Sequence, residues 1–238
     1  MSNTYFQFRQ FTIAQDRCAM KVSTDACIQG AYTPVTKMTR RVLDIGAGTG
    51  LLSLMVAQRA DNAMIDAVEL DADAAAQAKE NIGNSPFALS VSVVQGNINT
   101  YTASSGYDLI ICNPPFFINS LLGDTAGRNM ARHSITLTFV ELLTAIKRLL
   151  NSDGHASVLL PALEQQQWES LLEKNDFYIH SRLFIKPYAG QAANRVVSIF
   201  GLQDIPCTDT ELVIYRSPNS YTDAAIQLLS PFYAKEMK

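Results

Sequence analysis

The apolar run Arg41-Val42-Leu43-Asp44-Ile45 passes into Gly46-Ala47-Gly48-Thr49-Gly50 and then directly into Leu51-Leu52-Ser53-Leu54-Met55-Val56-Ala57. Of all the features in the chain, this junction most restricts the fold. Three glycines at alternate positions let the backbone adopt conformations closed to other residues and approach a bound group closely. The amide groups at the start of the following helix then face that group. A purely structural strand-to-helix turn needs one or two glycines. The stretch therefore predicts a buried strand at 41–45, a ligand-facing loop at 46–50 and a helix over about 50–60.

The rest of the chain repeats this alternation. Further strands are expected at 63–69, 91–95, 107–112, 156–160, 179–185 and 196–200. Helices are expected from Asp71, which caps an Ala-rich segment running to about Asn81, over about 137–150 on the stripe Leu142, Leu143, Ile146, Leu149, Leu150, and over about 163–174. Strand and helix alternating through short turns imply right-handed crossovers and a parallel sheet covered on both faces. The last two of the seven strands lack an intervening helix, which predicts an antiparallel hairpin at one edge. The core thus spans 41–201. An N-terminal extension, 1–40, precedes it, and a tail, 202–238, adds a strand near 212–215 and a helix near 223–229 to the same domain.

Composition sets limits on where such a domain works. No stretch of 18 apolar residues is found in the 238, so a membrane span is not expected. The first residues lack a basic and then apolar leader, and Cys18, Cys27, Cys112 and Cys207 show no C-x-x-C spacing. Both point to reduced thiols in the cytoplasm. His133 and His155 have no metal-ligand spacing, so no metal is expected. The net charge of −3 hides an asymmetry. Residues 1–41 hold six basic side chains (Arg9, Arg17, Lys21, Lys37, Arg40, Arg41) against Asp16 and Asp25, a surplus of four. Residues 42–238 hold thirteen basic and twenty acidic, a deficit of seven. A basic segment on an acidic body suits a polyanionic partner on one face, although a solvated arm would look the same.

Asp44-x-Gly46-x-Gly48-x-Gly50 departs from the dinucleotide spacing, whose third glycine would fall on Leu51, and resembles motif I of class I S-adenosylmethionine-dependent methyltransferases. That resemblance implies a Rossmann-like fold and S-adenosylmethionine as cofactor. Glu69 ends the second strand, 19 residues after Gly50, where a carboxylate accepts hydrogen bonds from both hydroxyls of a ribose. Leu70 beside it, with Asn97 and Ile98 after the third strand, is expected against the cofactor. Methyltransferases of this kind usually carry Asp where Asn97 stands, but the amide oxygen can still accept from the adenine amino group. The fourth strand runs into Asn113-Pro114-Pro115-Phe116, which resembles motif IV of methyltransferases that modify a planar amino nitrogen. The lone pair of such a nitrogen is delocalised and poorly nucleophilic. The Asn113 side-chain oxygen and the Pro114 carbonyl can accept its two N–H bonds and favour a tetrahedral nitrogen, an alignment that supplies up to about 7–11 kcal/mol. Phe116 can stack on the target base, worth roughly 1–3 kcal/mol.

The N-terminal pattern Phe6-x-Phe8-x-x-Phe11-x-Ile13-x-Gln15-Asp16, followed by Met20-Lys21-Val22-Ser23-Thr24-Asp25, is similar to the bacterial tRNA1(Val) adenine-37 N6-methyltransferase family. So are Leu51–Arg59, Asn81 with Ser85-Pro86, Asn113–Phe117, Ala131-Arg132, Tyr221-Thr222 and Phe232-Tyr233. The resemblance spans almost the whole chain and implies tRNA as partner and, by expectation, a monomer. It departs at Asn97, at Tyr32 and at Asn99. On this reading Lys21 to Asp25, including Thr24, closes over the methionine end of the cofactor. Arg9 and Arg17 meet RNA phosphates, the phenylalanines mostly pack the extension onto the core, and a long loop at 117–136 forms a substrate lid with Arg128 and Arg132 on phosphates. Methylation of guanine N2 in ribosomal RNA or of a protein glutamine, and an RNA-binding module with a vestigial cofactor fold, remain as alternatives.

Overall fold

The computed structural model describes residues 3–18, 20–114 and 137–237. Eleven strands are present among them: β1 Tyr5–Gln7, β2 Thr12–Ala14, β3 Arg41–Ile45, β4 Met64–Glu69, β5 Val91–Gln95, β6 Tyr107–Cys112, β7 Leu150–Pro161, β8 Tyr178–Tyr188, β9 Arg195–Gly201, β10 Thr208–Ser217 and β11 Ser220–Tyr221. The helices are α1 Thr24–Tyr32, α2 Leu51–Ala57, α3 Ala72–Gly83, α4 Phe139–Leu149, α5 Ala162–Glu173 and α6 Asp223–Leu229.

Nine strands form one sheet in the order β11-β10-β8-β9-β7-β6-β3-β4-β5. β3 to β7 pair in parallel, while β9 runs antiparallel to both β7 and β8. This is the expected α/β sheet with an antiparallel edge hairpin, extended by β10, parallel to β8, and by the short β11. Its strands β3 and β6 read as continuous apolar runs because both faces are covered. On one face Leu54, Met55 and Val56 of α2 pack with α1 and the hairpin; on the other Leu142, Leu143, Ile146 and Leu149 of α4 pack with Trp168. Trp168 is fully buried, edge-on to Phe139 and Phe200 at 5.4 and 5.7 Å. Burying a side chain of this size contributes about 1.5–3 kcal/mol.

Local chemistry explains the helix ends. Asp71 caps α3 by accepting from the Ala74 amide at 2.8 Å, as its sequence position predicts. Thr138 and Glu141 close α4 with a reciprocal capping box, a T-x-x-E signal, and Arg148 at its last turn donates to the Ile98 carbonyl at 2.8 Å.

The extension packs on this core. β1 and β2 form an antiparallel hairpin whose Phe8, Phe11 and Ile13 are buried, with Phe8 stacked on Phe11 at 4.6 Å. The phenylalanines are therefore packing residues, including the partly buried Phe6, which lies 4.7 Å from Phe8 and 5.5 Å from Tyr233. Asn81 of α3 accepts from the Ala14 amide and donates to the Ala14 and Thr49 carbonyls, all at 2.9 Å, so one side chain joins hairpin, glycine loop and helix. Helix α1, capped by Ser23, was not evident in the sequence.

Candidate active site

Sheet register decides which loops meet. Ile45 pairs with Val68 on one side and Cys112 on the other, and Glu69 pairs with Gln95. The residues that leave the sheet at its carboxyl edge, Gly46, Glu69, Gly96 and Asn113, therefore lie on one line, at the point where strand order reverses. Open α/β sheets bind ligands at such a switch point.

A cavity of about 530 Å³ opens there, within the range of roughly 300–1,000 Å³ that holds small ligands and cofactors. Gly46 and Gly48 line it, and with Gly50 at the start of α2 they have φ of +70°, +55° and +80°, all in the left-handed region. Gly50 has a second constraint, since a Cβ there would sit 3.3 Å from Ile82 Cδ1 of α3. The Glu69 carboxylate is fixed by two amides: Gly48 N–H donates to Oε2 at 2.8 Å and Asp71 N–H to Oε1 at 2.9 Å. Each oxygen keeps a further lone pair for a ligand. Leu70, Asn97 and Ile98 line the same cavity. The Asn97 side-chain oxygen already accepts from the Asn99 amide at 2.9 Å.

Asn113 and Pro114 close the far wall. The Asn113 Oδ1 atom is buried and has no hydrogen-bond partner among the described residues. Buried acceptors are nearly always satisfied, so an empty one on a cavity wall marks a place for a donor. Lys21 and Arg17 stand at the rim, with Arg17 ion-paired to Glu80. Arg17's backbone and Asp16 are held down by Gln77, whose amide donates to Asp16 at 2.7 Å.

Three expected cofactor residues stand elsewhere: Gly50 is the N-cap of α2 and, like Asp44 and Thr24, does not line the cavity. Asp44 is fully buried behind the glycine loop and does not line the cavity. Its Oδ2 accepts from the Ser53 amide at 3.0 Å and hydroxyl at 2.6 Å, tying strand β3 to helix α2. Burial pushes the Asp44 carboxyl up to about 6 against the pull of those hydrogen bonds, and the Glu69 charge adds to the rise. Thr24 opens α1 and, although Val22 and Ala26 on either side of it line the cavity, lines a separate crevice with Tyr221 and Tyr233. Arg9 donates to the Tyr233 carbonyl at 2.9 Å and is not at the cavity. Phe116, Arg128 and Arg132, with the expected lid at 117–136, lie outside the described residues.

The structure also brings in residues the sequence reading passed over. Glu141, at the first turn of α4, reaches the rim and accepts from the Asn99 side-chain amide at 3.2 Å. Its capping box was the available signal. Cys18 lines the cavity, where burial and then the charges of Glu69 and Asp71 raise its thiol to about 11, so it stays protonated. Among the described residues no cluster of three or more His, Cys, Asp or Glu could hold a metal, and no helix is long and apolar enough to cross a membrane.

Comparison with known proteins gives these features a family. The methyltransferase small domain matches residues 31–174. A tRNA1(Val) (adenine(37)-N6)-methyltransferase of Aeromonas hydrophila is 43% identical over 236 residues, covering 98% of both chains. One from Dyadobacter fermentans is 41% identical over 237 residues, again covering 98% of both. The chain belongs to this methyltransferase family. A relative in Bacteroides fragilis, 37% identical over 238 residues, covers 99% of this chain and 100% of its own. Solved structures agree on the fold of the family member described here. A predicted O-methyltransferase from Agrobacterium tumefaciens superposes with a TM-score of 0.65 at 17% identity, covering 89% of this chain and 98% of its own. The tRNA m1G37 methyltransferase of M. jannaschii superposes with 0.62 at 14%, covering 86% and 59%.

Proposed function

We propose that this chain methylates N6 of adenine 37 in the anticodon loop of a valine tRNA, with S-adenosylmethionine as methyl donor. The observation that carries the reading is the buried, unpartnered Asn113 Oδ1 on the wall of the cavity floored by the glycine loop. An exocyclic amino group offers the donor this acceptor lacks.

The residues present suit the cofactor. Glu69, with both oxygens oriented by amides and lone pairs remaining, suits a ribose diol; the glycine-loop backbone permits close approach; Asn97 and Ile98, lining the same cavity, suit the adenine. When bound, S-adenosylmethionine supplies an electrophilic methyl group on a sulfonium. The protein's part is alignment. Asn113 Oδ1 accepts one N–H of the target amino group and the Pro114 carbonyl the other, which favours a tetrahedral nitrogen whose lone pair is withdrawn from conjugation with the ring. The alkylated nitrogen becomes acidic and loses its proton to water, so no strong base is required. A base in an anticodon loop is already single-stranded, so presenting it costs less than extrusion from a duplex. Arg17 and Lys21 at the rim, with Arg9, Arg128 and Arg132, meet the phosphates. The chain acts in the cytoplasm as a monomer, with 1–40 and 202–238 completing one domain around the core.

Full-length protein, labelled cofactor and unmodified valine tRNA transcript test this. N6-methyladenosine should appear with the wild-type transcript and vanish when adenine 37 is replaced by guanine. Label in guanine N2 or in protein glutamine would overturn the assignment. Asn113→Ala should abolish turnover while leaving cofactor affinity nearly intact.

A further inference from the structure

Helix α1 belongs to the extension, yet one of its side chains reaches the backbone of the reacting loop. Gln29 Nε2 donates to the Cys112 carbonyl at 2.9 Å and to the Ser157 carbonyl at 3.2 Å. Both close partners are carbonyls, so the amide nitrogen and not the oxygen faces them. The contact crosses 83 residues to β6 and 128 to β7. Gln29, Thr33 and Ser157 are all 0% exposed, and the Thr33 and Ser157 hydroxyls lie 2.7 Å apart. The Thr33 hydroxyl also donates to the Gln29 carbonyl at 2.8 Å, beside the Thr33 backbone amide, which donates to the same oxygen at 2.9 Å and holds the turn without it.

Cys112 is the last residue of β6, and its carbonyl shares a rigid peptide plane with the nitrogen of Asn113. A hydrogen bond that holds this oxygen sets the orientation of the plane from which the Asn113 side chain departs. Burying a primary amide is costly where an apolar side chain of similar volume would fill the space. Gln29 Oε1 is itself buried without a partner among the described residues, so the amide is retained despite an unsatisfied atom. The gain lies at the two carbonyls. We infer that Gln29 is a positioning residue for methyl transfer: it locks the Cys112–Asn113 peptide plane, so that Asn113 Oδ1 points at the amino group to be methylated. This rests on the reading of Asn113 given above.

The test uses full-length protein and valine tRNA transcript, with kcat, KM for tRNA, cofactor Kd and Tm measured on each variant. Gln29→Met keeps the volume and removes the donor. It should lower kcat on the order of 10- to 100-fold, the penalty of a small misalignment, with cofactor Kd and tRNA KM within about threefold of wild type. Thr33→Val removes a hydroxyl from the same buried cluster but leaves both Gln29 contacts. It should lower Tm while kcat stays within about threefold. Should Gln29→Met melt below the assay temperature, Gln29→Asn, whose amide falls short of the carbonyls, is measured in the same way. Wild-type kcat in the Gln29 variants overturns the inference. So does an equal loss of kcat in Thr33→Val, which would reduce the effect to general loosening. Asn113→Ala, run in parallel, separates the two levels: if it turns over, the reading of Asn113 fails and takes this inference with it. If it is inactive while Gln29→Met is fully active, only the role of Gln29 fails.

Discussion

Glu69 links the glycine loop to the next helix, and Glu69→Gln tests that link with almost no change in shape. Its two oxygens accept from Gly48 and Asp71 at 2.8 and 2.9 Å. In the glutamine variant one oxygen becomes an amide nitrogen, so one of those two N–H groups faces another donor. A hydrogen bond to a charged acceptor contributes about 1.5–3 kcal/mol. Because about 1.4 kcal/mol is a factor of ten in affinity, cofactor Kd should rise roughly 10- to 100-fold if the lost bond organises the loop. The same loss should lower the Tm of the ligand-free protein by roughly 3–10 °C. Isothermal titration with S-adenosylmethionine and a thermal melt without it measure the two separately. A Kd within twofold of wild type together with an unchanged Tm would refute the reasoning. A lowered Tm with unchanged Kd would keep the loop contact and remove the ribose role.

Three further outcomes follow from the geometry. Gly50→Ala places a Cβ at φ +80° and 3.3 Å from Ile82 Cδ1, so it should destabilise by about 1–3 kcal/mol in urea melts, whereas Gly83→Ala, with open space around it, should be near neutral. The Asp44 carboxyl is raised in the folded state from 3.8 to about 6, so its contribution to stability is complete below pH 4 and is lost as pH rises through 6. Relative to wild type, Asp44→Asn should gain stability between pH 4.5 and 7, on the order of 2 kcal/mol, and parallel stability curves for the two proteins would contradict this. The affinity for tRNA should fall steeply with salt, with Lys21→Ala and Arg132→Ala each reducing the slope of log Kd against log salt by about one; a salt-independent Kd would remove the basic rim from the binding surface.

The sequence by itself determined whatever is decided within a few residues. Alternate glycines specify left-handed backbone, the Asp71 cap specifies where α3 begins, and apolar stripes specify which faces of α2 and α4 are buried. Asn113-Pro114 after an apolar strand specifies a polar wall at a sheet edge. Only the tertiary structure decided which of these meet, because the register of β3 against β4 and β6 brings Gly46, Glu69 and Asn113 onto one line. It also decided where the expectations went astray. Asp44 and Thr24 are near the cofactor loop and arm in sequence, yet strand alternation turns one behind the loop and the first turn of α1 places the other in a separate crevice. Glu141 and Gln29 are distant in sequence, and helix packing delivers one to the rim and the other to the Cys112 carbonyl. Capping, φ and periodicity act over one turn of chain, whereas a hydrogen bond spanning 83 residues exists only once the sheet and its covering helices are assembled.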